Sequence, residues 1–214
     1  MDLITPDLSG AFEDGRIIEV PIEEDTWRVR LERWNLADLT IVSGKVVACD
    51  PFTVYEGVLP FDFEVEPGRY PVVLSIAHVE ATGDQRVAYA MLQFGEREPV
   101  RWELATWPGK SLNDLGEGEV FGYGVDAGTG SFMDEVAAQK LSQDEELIDR
   151  LLADSQGNYV HTWSWTDFIV DHATGANVIS FSSGFGDGFY PSYLAFDEAD
   201  RLVALVTDFG VVQV

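Results

Sequence analysis

Apolar and polar positions in this chain alternate with period two far more often than they recur every three or four residues, and period two belongs to half-exposed strands. The segments 17–22 and 27–31 show it, the second interleaving Trp27, Val29 and Leu31 with Arg28 and Arg30. A β-branched run over 44–49 stops at Asp50-Pro51, where proline removes a ladder donor and pushes its predecessor into extended or turn geometry. Alternation over 61–66 predicts a further strand, and Pro67-Gly68 a turn. Residues 70–79 read as a buried strand that Thr82-Gly83-Asp84 joins to 86–94 in a hairpin, with a short strand at 100–105 behind it. Beyond the middle of the chain the same logic predicts strands at 165–171, 177–182, 189–196 and 201–208, the last two forming a second hairpin.

One window breaks the pattern. Asp134 is placed to cap a short helix through Leu141. Ser142, with Glu145 three residues on, predicts a capping box, and Leu147, Ile148, Leu151 and Leu152 fall on one face of the helix that follows, which Gly157 ends. The expectation is a mostly β (α+β) fold: two packed antiparallel sheets, sandwich-like, with a helical insertion at about 134–154. The two halves also share an order of features. Asp50, Gly68-Arg69-Tyr70-Pro71, a hairpin and Phe94 are echoed by Asp126, Gly188-Phe189-Tyr190-Pro191, a hairpin and Phe209. A single domain over 1–214 is predicted, composed of two β-units at about 40–107 and 120–214 and a strand-containing N-terminal segment, 1–39.

Charge narrows the partners. With 38 acids against 13 bases the formal net charge is −25, spread through both halves, and such a field repels phosphate backbones and anionic membranes. Nucleic acid and membrane are therefore not expected as partners, whereas a basic protein is. The 13 Phe, 7 Tyr and 6 Trp supply a core that a disordered acidic tail lacks. No run is long and apolar enough for a membrane span, the N-terminus has no basic n-region, and the single Cys49 suits a reducing compartment; a cytoplasmic location follows as the expectation.

Two glycine-rich segments carry the candidate chemistry. In 122–135, Asp126 stands among Gly124, Gly128 and Gly130, so backbone amides can approach a ligand beside a carboxylate. Asp126, Asp134 and Glu135 are weak candidates for a hard cation, since Gly128, Gly130 and Ala137 stand where an EF-hand loop places ligands. In 182–193, Asp187 lies between Gly186 and Gly188, and Tyr190 and Tyr193 offer amphipathic surface. Gly128, Gly130, Ser131, Gly186, Asp187, Tyr190 and Tyr193 are the candidate binding residues. Asp50, Asp126 and Asp187 are the candidate carboxylates for acid–base work, should they converge. Cys49 beside Asp50 is a poor nucleophile, and His78, His161 and His172 have no zinc spacing. No cofactor is expected.

The segments 123–134, 183–193 and 205–209, together with Gly68-Arg69-Tyr70-Pro71-Val72 and Arg86-Val87-Ala88-Tyr89-Ala90, resemble the bacterial domain-of-unknown-function family 4241 over about 42–209. The resemblance implies no established activity. Three functions stay open at this point: a non-enzymatic interaction protein, with an immunity-type inhibitor of a basic toxin as one form; a hydrolase-like or metal-dependent enzyme using Asp126, Asp187 and Asp50; and a structural accessory module. Oligomeric state is left open.

Overall fold

A computed structural model describes residues 5–22, 25–116 and 118–214. Residues 1–4 and 23–24 of the predicted N-terminal segment lie outside the described residues. The fold is mostly β, at 44% strand and 12% helix. Its strands are β1 (Ile17–Ile22), β2 (Asp25–Ile41), β3 (Val46–Cys49), β4 (Gly68–Val79), β5 (Gln85–Gln93), β6 (Arg101–Leu104), β7 (Tyr123–Val125) and β8 (Thr129–Asp134). After α1 (Glu135–Leu141) and α2 (Glu145–Ser155) come β9 (Trp165–Asp171), β10 (Ala176–Ser182), β11 (Gly188–Tyr190), β12 (Ser192–Phe196) and β13 (Leu202–Asp208). All named pairings are antiparallel. A curled seven-stranded sheet runs β1-β2-β4-β5-β13-β12-β6, a four-stranded sheet runs β3-β8-β10-β9, and β11 pairs with β7. Among the described residues no helix is long and apolar enough to cross a membrane.

The alternation sorts side chains into three cores. Val72, Leu74, Ile76 and Leu92 of the large sheet meet Val46, Ala48, Phe132, Ile179 and Phe181 of the small one. The intervening residues of the large sheet, such as Ala77, Ala88, Tyr89 and Val206, face a second cluster closed by Leu8, Ala11 and Val212. The outer face of the small sheet, with Val47, Met133, Phe168 and Val178, is covered by Ala137, Ala138 and Leu141 of α1 and Leu151 of α2. In β2 a bulge between Asn35 and Asp38 inserts one extra residue and reverses the alternation. Val29 and Leu31 therefore enter the second cluster, whereas Leu39 and Ile41 enter the first.

Four local readings are corrected. Ser142 does not cap α2: it sits in the αR conformation at the C-cap of α1, and its hydroxyl donates to Gln139 O. Asp144, which is extended, is the N-cap instead and accepts from the Glu146 and Leu147 amides at 3.0 and 3.2 Å. Leu151 is fully buried and Leu147 and Ile148 pack beside it, but Leu152 faces solvent. The alternation in 61–66 is real in burial yet forms no ladder, because the segment crosses between elements and bonds to each once: Phe61 N to Val46 O, Asp62 N to Thr106 O, Val65 N to Gly44 O. Finally, 129–134, placed by its sequence within a glycine-rich segment and not among the expected strands, is the strand β8. Gly130 is required there because a Cβ would come within 2.8 Å of the Tyr123 hydroxyl, with Phe209 and Phe181 at 3.2 and 3.3 Å.

The internal repeat has a physical form. The hairpins β4–β5 and β12–β13 lie side by side in one sheet, joined through β5 and β13. Phe94 N donates to Val203 O, and Phe209 N donates to Ala88 O, so each hairpin ends on the other. Tyr70 donates to Glu66 O at 2.6 Å and Tyr190 to Gly186 O at 2.7 Å, both four residues back. Edge-to-face contacts pair Tyr70 with Phe94 and Tyr190 with Phe209. β3 and β8, earlier in each half, pair with each other. Strands from 40–107 and 120–214 thus share both large sheets.

Candidate binding cleft

The counterpart of Asp50 in the repeat is Asp134, not Asp126. Asp50, at the end of β3, accepts from the Asp126 and Ala127 amides at 3.0 and 2.7 Å and holds the turn leading into β8. Asp134, at the end of β8, accepts from the Val42 and Ser43 amides at 2.9 and 2.8 Å and holds the turn leading into β3. Each carboxylate has a further backbone bond, Phe52 N to Asp50 and Val136 N to Asp134, and the Ser43 hydroxyl also donates to Asp134. Both are buried. Their charge is satisfied by amides of the chain itself, the arrangement of a structural clamp.

The two glycine-rich loops meet. Asp187 accepts from Gly128 N at 3.0 Å, Ser183 N donates to Gly128 O, and β7 and β11 pair directly behind them. Gly128 and Gly186 both have positive φ, and a Cβ on Gly128 would lie 3.8 Å from the Gly186 Cα. Asp126 and Asp187 are exposed here, and Gly128 and Gly186 are half-buried. The other candidates are drawn inward. Gly130 and Ser131 are buried in β8, and the Ser131 hydroxyl donates to Cys49 O at 2.8 Å. Tyr190 belongs to the main core with its hydroxyl on Gly186 O, and Tyr193 lies in the second cluster on the other face of the large sheet. Glu135 pairs with Lys45 at 3.6 Å. Among the described residues, no three His, Cys, Asp or Glu side chains gather as a metal site. Burial pushes the Cys49 thiol up to about 12, with the Asp50 charge adding to that and the Ser131 hydroxyl opposing it.

Beside the Asp50 clamp lies a cleft of about 310 Å³, within the range of small-ligand sites. Two turns contribute to its lining. In Tyr55-Glu56-Gly57-Val58 the Val58 amide returns to Tyr55 O, with Gly57 at φ +90°; in Trp107-Pro108-Gly109-Lys110 the Lys110 amide returns to Trp107 O, with Gly109 at φ +80°. Pro108 and Gly109 suit the second and third positions of such a turn. Trp107 is held by Phe61 stacked at 5.4 Å and by Phe121 edge-on at 6.4 Å. Cys49, Asp50, Val54 and Tyr123 also line the cleft, with Gly122 and Gly124 beside them. Gly122 is required: a Cβ would come within 2.6 Å of Tyr190 O and 2.9 Å of the Phe189 ring. Tyr55 and Leu59 of this lining are left 66 and 51% exposed, and Phe189, whose ring lies against Gly122, is 57% exposed.

Reasoning from the sequence found Asp50 and the loop pair but not Trp107, Lys110, Tyr55 or Leu59. The available signal was the two glycine turns that each follow an aromatic residue, Tyr55 and Trp107.

The model of a family described as a protein of unknown function (DUF4241) matches residues 39–207. No curated protein and no solved structure matches the chain.

Proposed function

From the premise that the chain belongs to this family of unknown function, DUF4241, we infer that it is a non-enzymatic recognition protein and that the cleft end is its binding surface. The observation that carries the reading is the exposure of Tyr55 and Leu59 in the cleft lining, with the exposed Phe189 against Gly122 of the same lining, on a chain otherwise strongly charged. Exposed apolar side chains grouped at a concavity mark interaction sites, and aromatic anchors supply most of the energy of such interfaces. Glu56, Asp126 and Asp187 are exposed on the loops around these side chains. With the net charge of −25 they favour a partner with a basic surface, and the field speeds its encounter. A cytoplasmic immunity-type inhibitor of a basic toxin is one concrete form of this function. The roles of Asp50 and Asp134 support the same reading, since both hold backbone amides.

The test is site-specific photocrosslinking in the native cell, with the reactive group at Phe189 and a control at Leu152 on the helix face. One basic polypeptide captured at 189 and not at 152 is expected. Purified, that partner should bind the protein with a Kd that weakens as salt rises, and by about a hundredfold in Phe189→Asp. Equal capture at both positions, or no loss of affinity in Phe189→Asp, defeats the proposal.

A further inference from the structure

We propose that the cleft binds a carboxylate carried on a compact apolar body, with the Lys110 ammonium as its counter-ion. The inference rests on the reading of this end of the molecule as a binding surface, and it adds the chemistry of what enters the cleft.

Lys110 is the feature to explain. Acids outnumber bases 38 to 13 in this chain, so a carboxylate partner is the ordinary state of its cations. Arg16, Arg28, Arg30, Lys45, Arg69, Arg86, Arg97, Arg101, Lys140 and Arg201 all take one. Arg33 bonds to Asn35 and Gln93, and Arg150 lies over the Phe168 ring. Among the described residues, Lys110 alone of the basic side chains has no hydrogen bond, ion pair or ring contact. It lines the cleft.

The position of Lys110 is set, not incidental. The Pro108-Gly109 turn closes on the Lys110 amide at 3.0 Å, so Trp107 and Lys110 leave the two ends of one turn toward one cavity. The indole end is fixed by Phe61 and Phe121. Tyr55, Val58 and Leu59 line the same cavity. A largely apolar chamber whose lining holds one cation without a partner is complementary to a molecule that is apolar at one end and anionic at the other. Asp50 does not compete for the role of anchor, because three backbone amides already occupy its oxygens. A free organic acid and the C-terminal residue of a polypeptide present the same chemistry, and both fit a chamber of about 310 Å³.

The experiment titrates the purified protein by calorimetry and ligand-detected NMR with 3-phenylpropanoate, its amide and 3-phenylpropylamine, up to about 5 mM because one charge-assisted contact on so small a ligand gives weak binding. The acid should bind about tenfold more tightly than the amide. Lys110→Met, which removes a side chain without a partner and leaves the melting temperature unchanged, should close that gap. Acetyl-Gly-Gly-Phe with a free carboxylate separates the two sources. Tighter binding than the free acid identifies a chain terminus, and weaker binding identifies a small molecule. Equal affinity for acid and amide, preference for the amine, no binding by either acid, or an acid–amide gap that persists in Lys110→Met overturns the proposal. Crosslinking at Phe189 without acid binding sinks this inference alone, whereas acid binding without a crosslinked partner sinks the protein-recognition reading and leaves this one standing.

Discussion

The two ends of β3 carry the same device in different surroundings. At its start the Asp134 carboxylate gathers the amides of Val42, Ser43 and Val136, and the chain beyond Asp134 becomes α1, which with α2 covers the sheet. At its end Asp50 gathers Phe52, Asp126 and Ala127, but the chain beyond Asp50 forms a loop that leaves Tyr55 and Leu59 in solvent beside a cleft. Since the clamp is common to both, it belongs to the fold. What differs is the covering, and loops left open on a rigid scaffold are where binding is found.

The comparison can be broken first at the clamps. Asp134→Ala strands three backbone amides and the Ser43 hydroxyl around a carboxylate that is itself fully buried, and should cost about 3–5 kcal/mol. Asp50→Ala strands three amides next to a cleft that admits water, and about 2 kcal/mol is expected. Urea denaturation of both variants decides it. An Asp50 variant as damaged as the Asp134 variant would show that the cleft does not hydrate the exposed amides, and the contrast between the two ends would fall.

A smaller effect sharpens the comparison within the hairpins. Tyr70 and Tyr190 make the same bond four residues back, yet Tyr190 is buried while Tyr70 and its acceptor residue Glu66 are in reach of water. Tyr190→Phe should cost about 1–1.5 kcal/mol and Tyr70→Phe about half that or less, read as shifts in the denaturation midpoint at constant slope. The reverse order would mean that Gly186 O finds water as readily as Glu66 O does. The carboxylate of Asp187 on the same loop would then be the element that holds it.

The strands were legible because alternation and burial are the same fact seen twice: Val72, Leu74 and Ile76 point one way in the sequence pattern and in the sheet. Where a residue has a second duty the pattern blurs. Gly130 and Ser131 read as turn residues, but Gly130 is there to clear Tyr123 and Ser131 to bond Cys49 O, both inside β8. The 61–66 segment alternates because Phe61, Phe63 and Val65 pack on the core, although no neighbour runs alongside to form a ladder. In β2 the exposed Arg33 holds the position that would continue the Val29 and Leu31 face, and the bulge at 36–37 then reverses the period, so the strand was legible only to Leu31. The cleft was not legible because it is assembled from 48–59, 107–110 and 122–124, and local pattern carries no information on which distant turns line one cavity. The repeat was visible as an order of motifs, but its register was set by spatial pairing, which moved the partner of Asp50 from Asp126 to Asp134.

The finest test of the repeat is the residue that ends each inner strand. Gln93, before Phe94, donates to Gly95 O; Asp208, before Phe209, accepts from Gly210 N at 2.8 Å. One position is neutral and its counterpart is a half-buried carboxylate. Burial raises the Asp208 carboxyl above its ordinary value, and the Gly210 amide opposes this only in part. The folded pKa therefore exceeds the unfolded one, so the native state holds this proton more tightly. Stability linked to that proton is fully present below the unfolded pKa and is lost as pH rises through the folded one. Asp208→Asn keeps an acceptor for Gly210 N and removes the charge, making the second hairpin resemble the first. Its melting temperature should exceed the parent's at pH 7, by the smallest margin of the three comparisons, and the difference should shrink to nothing as pH falls below about 4. A variant that melts lower than the parent at pH 7 would show that the charged form of Asp208 is stabilised in place, and that the two hairpin ends are held by unlike physics after all.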